Sequence, residues 1–218
     1  MMIFIVDCYR KIKMSVVILD YGLGNLRSLS WVLDRIGCIH SVSSDKAIIE
    51  KSQKLIIPGV GSFGKAIKNL DNLDLIDFLR AYAGNPCNNL LGICLGMQLL
   101  FEGSEEAPDV AGLSILKGCY EKLDNQTSHV PHMGWNNLER RERDSDFTYL
   151  TNIKIDSDFY FVHSYGLLNT KTKKHLKSLR GNQHFVSYIE HQNLTCTQFH
   201  PEKSHFSGHM LLKNWINS

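Results

Sequence analysis

Leu90-Leu91-Gly92-Ile93-Cys94-Leu95-Gly96-Met97-Gln98-Leu99-Leu100-Phe101 is the stretch on which the fold turns. Its first four residues form a short apolar run without polar alternation, the pattern of a strand covered on both faces. The run breaks at a cysteine set between glycines, and Leu95 to Phe101 continues at helical spacing. Strand, tight turn, helix is the unit of an α/β sheet.

The same grammar recurs upstream. Val16 to Leu19 is apolar and β-branched, breaks at Asp20-Tyr21-Gly22-Leu23-Gly24-Asn25, and is followed by Leu26, Leu29, Val32, Leu33 and Ile36 at helical spacing, with Gly37 as the stop. Lys54 to Ile57 likewise enters Pro58-Gly59-Val60-Gly61. From about Lys117 the runs shorten: Phe159 to Val162, Phe185 to Ile189 and Leu194 to Phe199 read as strands that extend the sheet in antiparallel fashion. Met210, Leu211, Leu212 and Trp215 restore helical spacing at the end. The charge runs Glu139 to Asp146 and Lys171 to Lys177 read as solvated loops. The expected class is α/β, a flavodoxin-like doubly wound, mostly parallel sheet with an antiparallel extension.

Composition narrows the function. The chain has 218 residues, enough for one ordinary domain, and 24 basic residues against 22 acidic give a formal charge of +2. Near balance offers no electrostatic case for nucleic acid or a membrane surface as partner. The six cysteines (Cys8, Cys38, Cys87, Cys94, Cys119 and Cys196) show no paired spacing, which fits reduced thiols in a cytoplasmic protein. The four besides Cys8 and Cys94 read as packed small residues. Met2 to Val6 is too short for a membrane span, and its basic residues follow the apolar run where a signal peptide would put them first. Met14 stands directly before the first strand, so residues 1–13 read as an extension or a mis-assigned start, with 14–218 as a single domain. The ten histidines form no H-E-x-x-H, and His129 and His132 read as loop residues without a third ligand, so no metal is expected. Gly22-Leu23-Gly24 lacks the third glycine of a dinucleotide fingerprint.

Chemistry concentrates at three places. The glycines around Cys94 allow a sharp turn that projects its sulfur from the sheet edge, with the Leu95 N–H and the helix start facing any anion there; a buried structural cysteine in a tight turn fits the same pattern. Gln198-Phe199-His200-Pro201-Glu202 supplies a base and an acid to orient it, although a lone histidine is more often structural. Gly59, Val60 and Gly61 could aim a backbone N–H at developing charge, or simply form a type II turn.

Seven ordered blocks, DYGLGN (20–25), PGVGSFG (58–64), GICLGMQLLFE (92–102), EEAP (105–108), PHMGW (131–135), FYFVHSYG (159–166) and QFHPEKS (198–204), carry a resemblance over about Val16 to Trp215. The chain resembles the class I, triad-type glutamine amidotransferases, and within them the glutaminase subunits of imidazole glycerol phosphate synthases. The resemblance implies a triad of Cys94, His200 and Glu202 that hydrolyses glutamine through a thioester. It implies an oxyanion site built from Gly59, Val60, Gly61 and Leu95, completed when the Val60 peptide flips. Glutamine would be held by Gln98, Glu106 and the backbone at Ser164 and Tyr165. No cofactor is implied. The implied partner is a (β/α)8-barrel cyclase subunit, forming a heterodimer through a face that includes Asn25, Trp135, Tyr160 and Lys203 and receiving the ammonia for histidine biosynthesis.

Gly166 departs from the larger residue usual in the family, which predicts a looser glutamine-facing loop. Thr197 and His205 are similar to a paralogous branch that supplies ammonia for surface-polysaccharide sugars. A self-contained cysteine hydrolase and a non-catalytic flavodoxin-like binding protein are the alternatives from other classes.

Overall fold

The computed structural model describes residues 16–140 and 146–218, so the expectations for residues 1–13, the Met14 start, Cys8 and the middle of the 139–146 charge run lie outside it. In chain order the elements are β1 (Val16–Leu19), α1 (Leu26–Arg35), β2 (His40–Ser43), α2 (Lys46–Glu50), β3 (Lys54–Ile57), α3 (Phe63–Asn72), α4 (Ile76–Gly84), β4 (Asn89–Ile93), α5 (Leu95–Leu99), β5 (Gly103–Ser104), β6 (Cys119–Lys122), β7 (His132–Asn137), β8 (Asp158–His163), β9 (Tyr165–Gly166), β10 (His175–Arg180), β11 (Gln183–His191), β12 (Leu194–Thr197) and α6 (His205–Ile216).

The main sheet runs β10-β11-β12-β4-β3-β1-β2. Strands β2, β1, β3, β4 and β12 are parallel, and β11 and β10 add on antiparallel. The five parallel strands have the doubly wound order, in which ligands bind beyond the carboxyl ends.

Strand β1 shows why the parallel strands lack alternation. Val17 and Leu19 face a core with Phe63, Ala66 and Leu70 of α3 and Leu79 of α4. Val16 and Ile18 face the other way, onto Leu29, Val32 and Leu33 of α1 and Leu212 and Trp215 of α6. Both faces of β1 are dry, and all four of its residues are apolar. Helix α1 starts where the Asn25 side chain accepts the Ser28 N–H at 3.3 Å and stops at Gly37, whose φ of +76° suits glycine.

Several expectations change. The Phe159–Val162 run does not extend the main sheet: β8 pairs antiparallel with β7 in a separate two-stranded unit. Its alternate residues Phe159 and Phe161 pack with Phe185, Tyr188 and Phe199 in an aromatic cluster that roofs the β11 end of the sheet. Helix α5 ends at Leu99, short of Phe101, because the carbonyls of Leu99 and Leu100 are taken by the N–H groups of Leu113, Ile115 and Leu116. Strand β12 stops at Thr197, two residues before Phe199. The 171–177 charge run is not all loop: it enters β10, and Lys174 pairs at 2.7 Å with the buried Glu190. His132 lies in β7 and is buried. Cys196 is packed as expected, Cys38 is half-buried, and Cys87 and Cys119 are exposed.

Candidate active site

Because β1, β3, β4 and β12 are parallel, the segments that follow them meet at one sheet edge. Cys94 directly follows β4 with φ 53° and ψ −108°, a conformation that costs a β-carbon-bearing residue about 1–3 kcal/mol. The chain around it is packed so tightly that only glycine fits: a Cβ at Gly92 would lie 2.9 Å from the Gly96 carbonyl oxygen, and one at Gly96 would collide with the Ile57 carbonyl. The cysteine is therefore held in a strained elbow by the backbone of β3 and α5, with its N–H donated to the Thr197 carbonyl at 2.7 Å.

With only five residues, α5 offers little dipole. The sulfur instead meets two local groups. The buried Gln198 side-chain amide donates to Sγ at 3.7 Å, and Sγ as a thiol donates to the Val162 carbonyl at 3.7 Å. One contact suits the thiolate and the other the thiol. Gln198 was visible in the sequence only as the first letter of its motif; its role becomes readable once β12 is seen to end one residue earlier.

His200 and Glu202 follow β12 around the turn Pro201–Lys203. His200 Nδ1 lies 2.8 Å from Glu202 Oε1, which fixes Nδ1 as the protonated nitrogen and leaves Nε2 for the sulfur side. The main chain of His200 is clamped: its N–H donates to the Tyr160 carbonyl at 2.9 Å, and its carbonyl accepts the Ser204 hydroxyl at 2.6 Å. His200 Nε2 has no hydrogen-bond partner among the described residues, nor do Glu202 Oε2 and Gln198 Oε1. Orphan buried atoms cost about 1–3 kcal/mol each, and they cluster here beside the cysteine. Burial works against charge on His200, but the Cys94 sulfur and then Glu202 outweigh it and raise the imidazole to about 10.

A cavity of about 380 Å³ opens over the sulfur, lined by Val60, Gly61, Cys94, Leu95, Gln98, Glu106, His163, Ser164, Tyr165 and Lys203 among others. That size is within the range of small-ligand clefts, about 300–1,000 Å³. The expected oxyanion and substrate residues thus come together. Gly59 sits behind them, where a Cβ would lie 2.5 Å from Leu95 Cβ and 2.7 Å from Gly96 N. The buried Tyr21 hydroxyl donates to the Pro58 carbonyl at 2.7 Å and anchors the stem of this loop, a contact the sequence did not announce. Glu106 gives one oxygen to the Phe63 N–H at 2.8 Å, so its carboxylate reaches the cavity from a fixed position.

Gly166 does not loosen the loop. A Cβ there would lie 2.8 Å from Leu123 Cδ2 and 3.2 Å from Phe185 Cβ, so these side chains already occupy the space of a larger residue. Trp135 is 47% exposed, stands edge-on to Tyr160 with centroids 5.8 Å apart, and stacks on His205 at 4.9 Å. Lys203 Nζ lies 5.7 Å from the Tyr160 centroid, and Asn25 caps α1, which packs on the Pro201–Lys203 turn. Trp135 is an exposed aromatic and not a core one. No helix among the described residues is long and apolar enough to cross a membrane.

A family profile described as glutamine amidotransferase class-I matches residues 17–217. The imidazole glycerol phosphate synthase subunit HisH of Aquifex aeolicus is 41% identical, over 93% of this chain and 96% of its own length. Its namesake from Corynebacterium glutamicum is also 41% identical, over 93% and 98%, and the subunit HisH 1 of Campylobacter jejuni is 37% identical over 92% and 98%. Among solved structures, a glutamine amidotransferase superposes with TM-score 0.70 at 18% identity, covering 92% of this chain and 97% of that one. The PurLQS structure from Thermotoga maritima gives 0.67 at 18%, over 94% and 99%. At that identity the two structures speak for the fold.

Proposed function

The chain belongs to the class-I glutamine amidotransferase family, and we propose that it is the glutamine-hydrolysing subunit of an imidazole glycerol phosphate synthase. The observation that carries this is the strained Cys94 elbow beside a buried His200–Glu202 pair, at the edge of a cavity sized for an amino acid. Cys94 Sγ, having given its proton to His200 Nε2, attacks the side-chain amide carbon of glutamine. The tetrahedral oxyanion is held by backbone N–H groups at Leu95 and in Gly59–Gly61. Collapse breaks the C–N bond, and His200 returns the proton to the departing ammonia. Water, deprotonated by the same imidazole, then cleaves the thioester, releasing glutamate and the thiol. Glu202 keeps the tautomer and supports the imidazolium throughout. Gln98 and Glu106 hold the substrate, the carboxylate pairing with its α-ammonium.

Ammonia passes to a (β/α)8-barrel cyclase subunit in a heterodimer, docked on the face with Asn25, Trp135, Tyr160 and Lys203. The exposed Trp135 supports this docking, since tryptophan is enriched among the residues that carry binding energy at interfaces. The barrel and its ligand order the Gly59–Val60 peptide and so raise a low basal rate.

The test is glutamate release from glutamine by wild type and Cys94→Ala, alone and with a histidine-pathway barrel and its nucleotide ligand. Stimulation that requires Cys94 is the expected result. Turnover that is equal with and without the barrel overturns the partner, and turnover that survives Cys94→Ala overturns the mechanism.

A further inference from the structure

At the cavity wall lie two buried histidines that the triad chemistry does not use, His163 lining the cavity and His132 bonded to it. His163, at the end of β8, places Nδ1 2.8 Å from the Tyr165 carbonyl and Nε2 3.1 Å from His132 Nδ1 on β7. They are 31 residues apart in sequence and meet because β7 and β8 pair in register, His132 opposite His163. The His132 ring also stacks on Phe161 at 5.0 Å and stands edge-on to Phe185.

The proton order in this pair follows from the acceptors. A carbonyl oxygen only accepts, so His163 Nδ1 carries a proton and donates it to Tyr165. The neutral ring then has Nε2 free to accept, and His132 must donate to it from Nδ1. Protonating His163 would set two donors face to face. Burial pushes His132 down to about 4 and His163 to about 3, and the guanidinium of Arg180 on β10 works in the same direction on both, so they stay neutral at physiological pH.

The carbonyl that receives this chain belongs to the cavity wall. Val162, His163, Ser164 and Tyr165 all line it, and the Val162 carbonyl reaches Cys94 Sγ. The Ser164 carbonyl accepts the Leu123 N–H at 3.0 Å, so the residue just after β6 secures one peptide of the wall and the His163 ring secures the next. Ring and peptide are only two residues apart, and nothing in chain connectivity demands that they bond.

We propose that His163 and His132 are positioning residues for glutamine, a proton-ordered pair that fixes the Ser164–Tyr165 wall of the substrate cavity. This rests on the glutaminase reading above and adds to it a determinant of substrate affinity that touches no reacting atom. His163→Leu removes both bonds, His132→Phe keeps the ring packing and removes one, and His163→Asn retains an N–H donor for the Tyr165 carbonyl.

The experiment is glutamine saturation kinetics on the full chain assembled with its barrel subunit, with glutamine calorimetry on the same substitutions in a Cys94→Ala background. For His163→Leu the expected result is a KM raised about tenfold, because the wall loses both His163 bonds that hold it in the binding geometry, with a much smaller change in kcat. His132→Phe should give a few-fold rise, and His163→Asn should recover most of the wild-type KM. Calorimetric Kd should follow the same order. An unchanged KM and Kd in His163→Leu, or failure of His163→Asn to rescue, overturns the proposal while leaving wild-type glutaminase intact. Loss of kcat alone, with KM unmoved, marks a merely structural role and overturns it too. A wild-type complex that does not hydrolyse glutamine at all would fail the underlying reading instead.

Discussion

His200 and His163 are both nearly inaccessible, 1% and 6% exposed, and both serve the same cavity, yet their proton affinities move in opposite directions. Burial disfavours the charged ring in each. Around His200 that penalty is overcome by two acidic neighbours, the Cys94 sulfur and the Glu202 carboxylate. Around His163 the Tyr165 carbonyl offsets part of it, while His132, Arg180 and the His200 ring itself deepen it. Burial therefore makes a histidine sensitive to its neighbours without deciding its charge. One ring is built to hold a proton and hand it on, the other to refuse one and stay fixed.

The largest test of this contrast is Cys94→Ala. It should reduce glutamine hydrolysis at least about 10⁴-fold, as loss of a nucleophile does. Removing the sulfur should also lower the His200 titration seen by imidazole NMR, while His163, on which the His200 charge is only the smallest cause, should move far less and, if at all, upward. A fall of both titrations together would mean that the two rings answer to the same charge, and the comparison would collapse. Glu202→Gln comes next. It takes away the second cause of the His200 shift and its tautomer lock, so kcat should fall about 10²–10⁴-fold with the protein still folded.

Stability against pH should separate the pairs at opposite ends of the scale. The fold holds a proton on His200 more tightly than the unfolded chain does. That contribution is present below 6.5 and is lost as pH rises toward about 10. His132 and His163 do the reverse: the unfolded chain takes up protons near 6.5 that the fold refuses until about 4 and about 3. Acid therefore costs stability across that window, and raising the pH restores it. In His132→Phe the acid-side fall in melting temperature should be shallower than in wild type, and the alkaline side should be unchanged.

How much of this was readable in advance depended on how local the cause was. The strands Val16–Leu19 and Lys54–Ile57 were legible because two covered faces demand apolar residues, a constraint written in every position but Lys54, whose buried ammonium donates to the Trp215 carbonyl and the Ser218 hydroxyl. The elbow was legible because the glycines that flank the cysteine stand in the sequence itself, although only Gly92 is demanded by a contact a few residues away, whereas Gly96 is demanded by the Ile57 carbonyl of β3. The hairpin of β7 and β8 was not, since the alternation of Phe159 and Phe161 reads the same whichever sheet receives it. The His132–His163 bond was hidden for a related reason: each histidine was quoted within a motif, but pairing depends on a register that no local pattern specifies. Gln198 and Tyr21 act through the ends of neighbouring parallel strands, which only the assembled sheet brings together.

The smallest expected effect sharpens the comparison most, because it asks which cause governs the refusing pair. Burial is the leading cause for both rings and the Arg180 guanidinium a lesser one. Arg180 donates from Nη1 to the Asp124 carbonyl at 3.2 Å and is itself buried, so its charge is poorly screened. Arg180→Met removes the charge and keeps much of the side-chain volume. If burial governs, the His132 titration should rise only slightly from about 4, and the acid-side loss of stability should keep nearly its full depth. Return of His132 to the ordinary 6.5 would show instead that charge alone suppresses it. The two histidine sites would then differ only in the sign of one neighbour, with the apolar packing of Phe161 and Phe185 playing no electrostatic part.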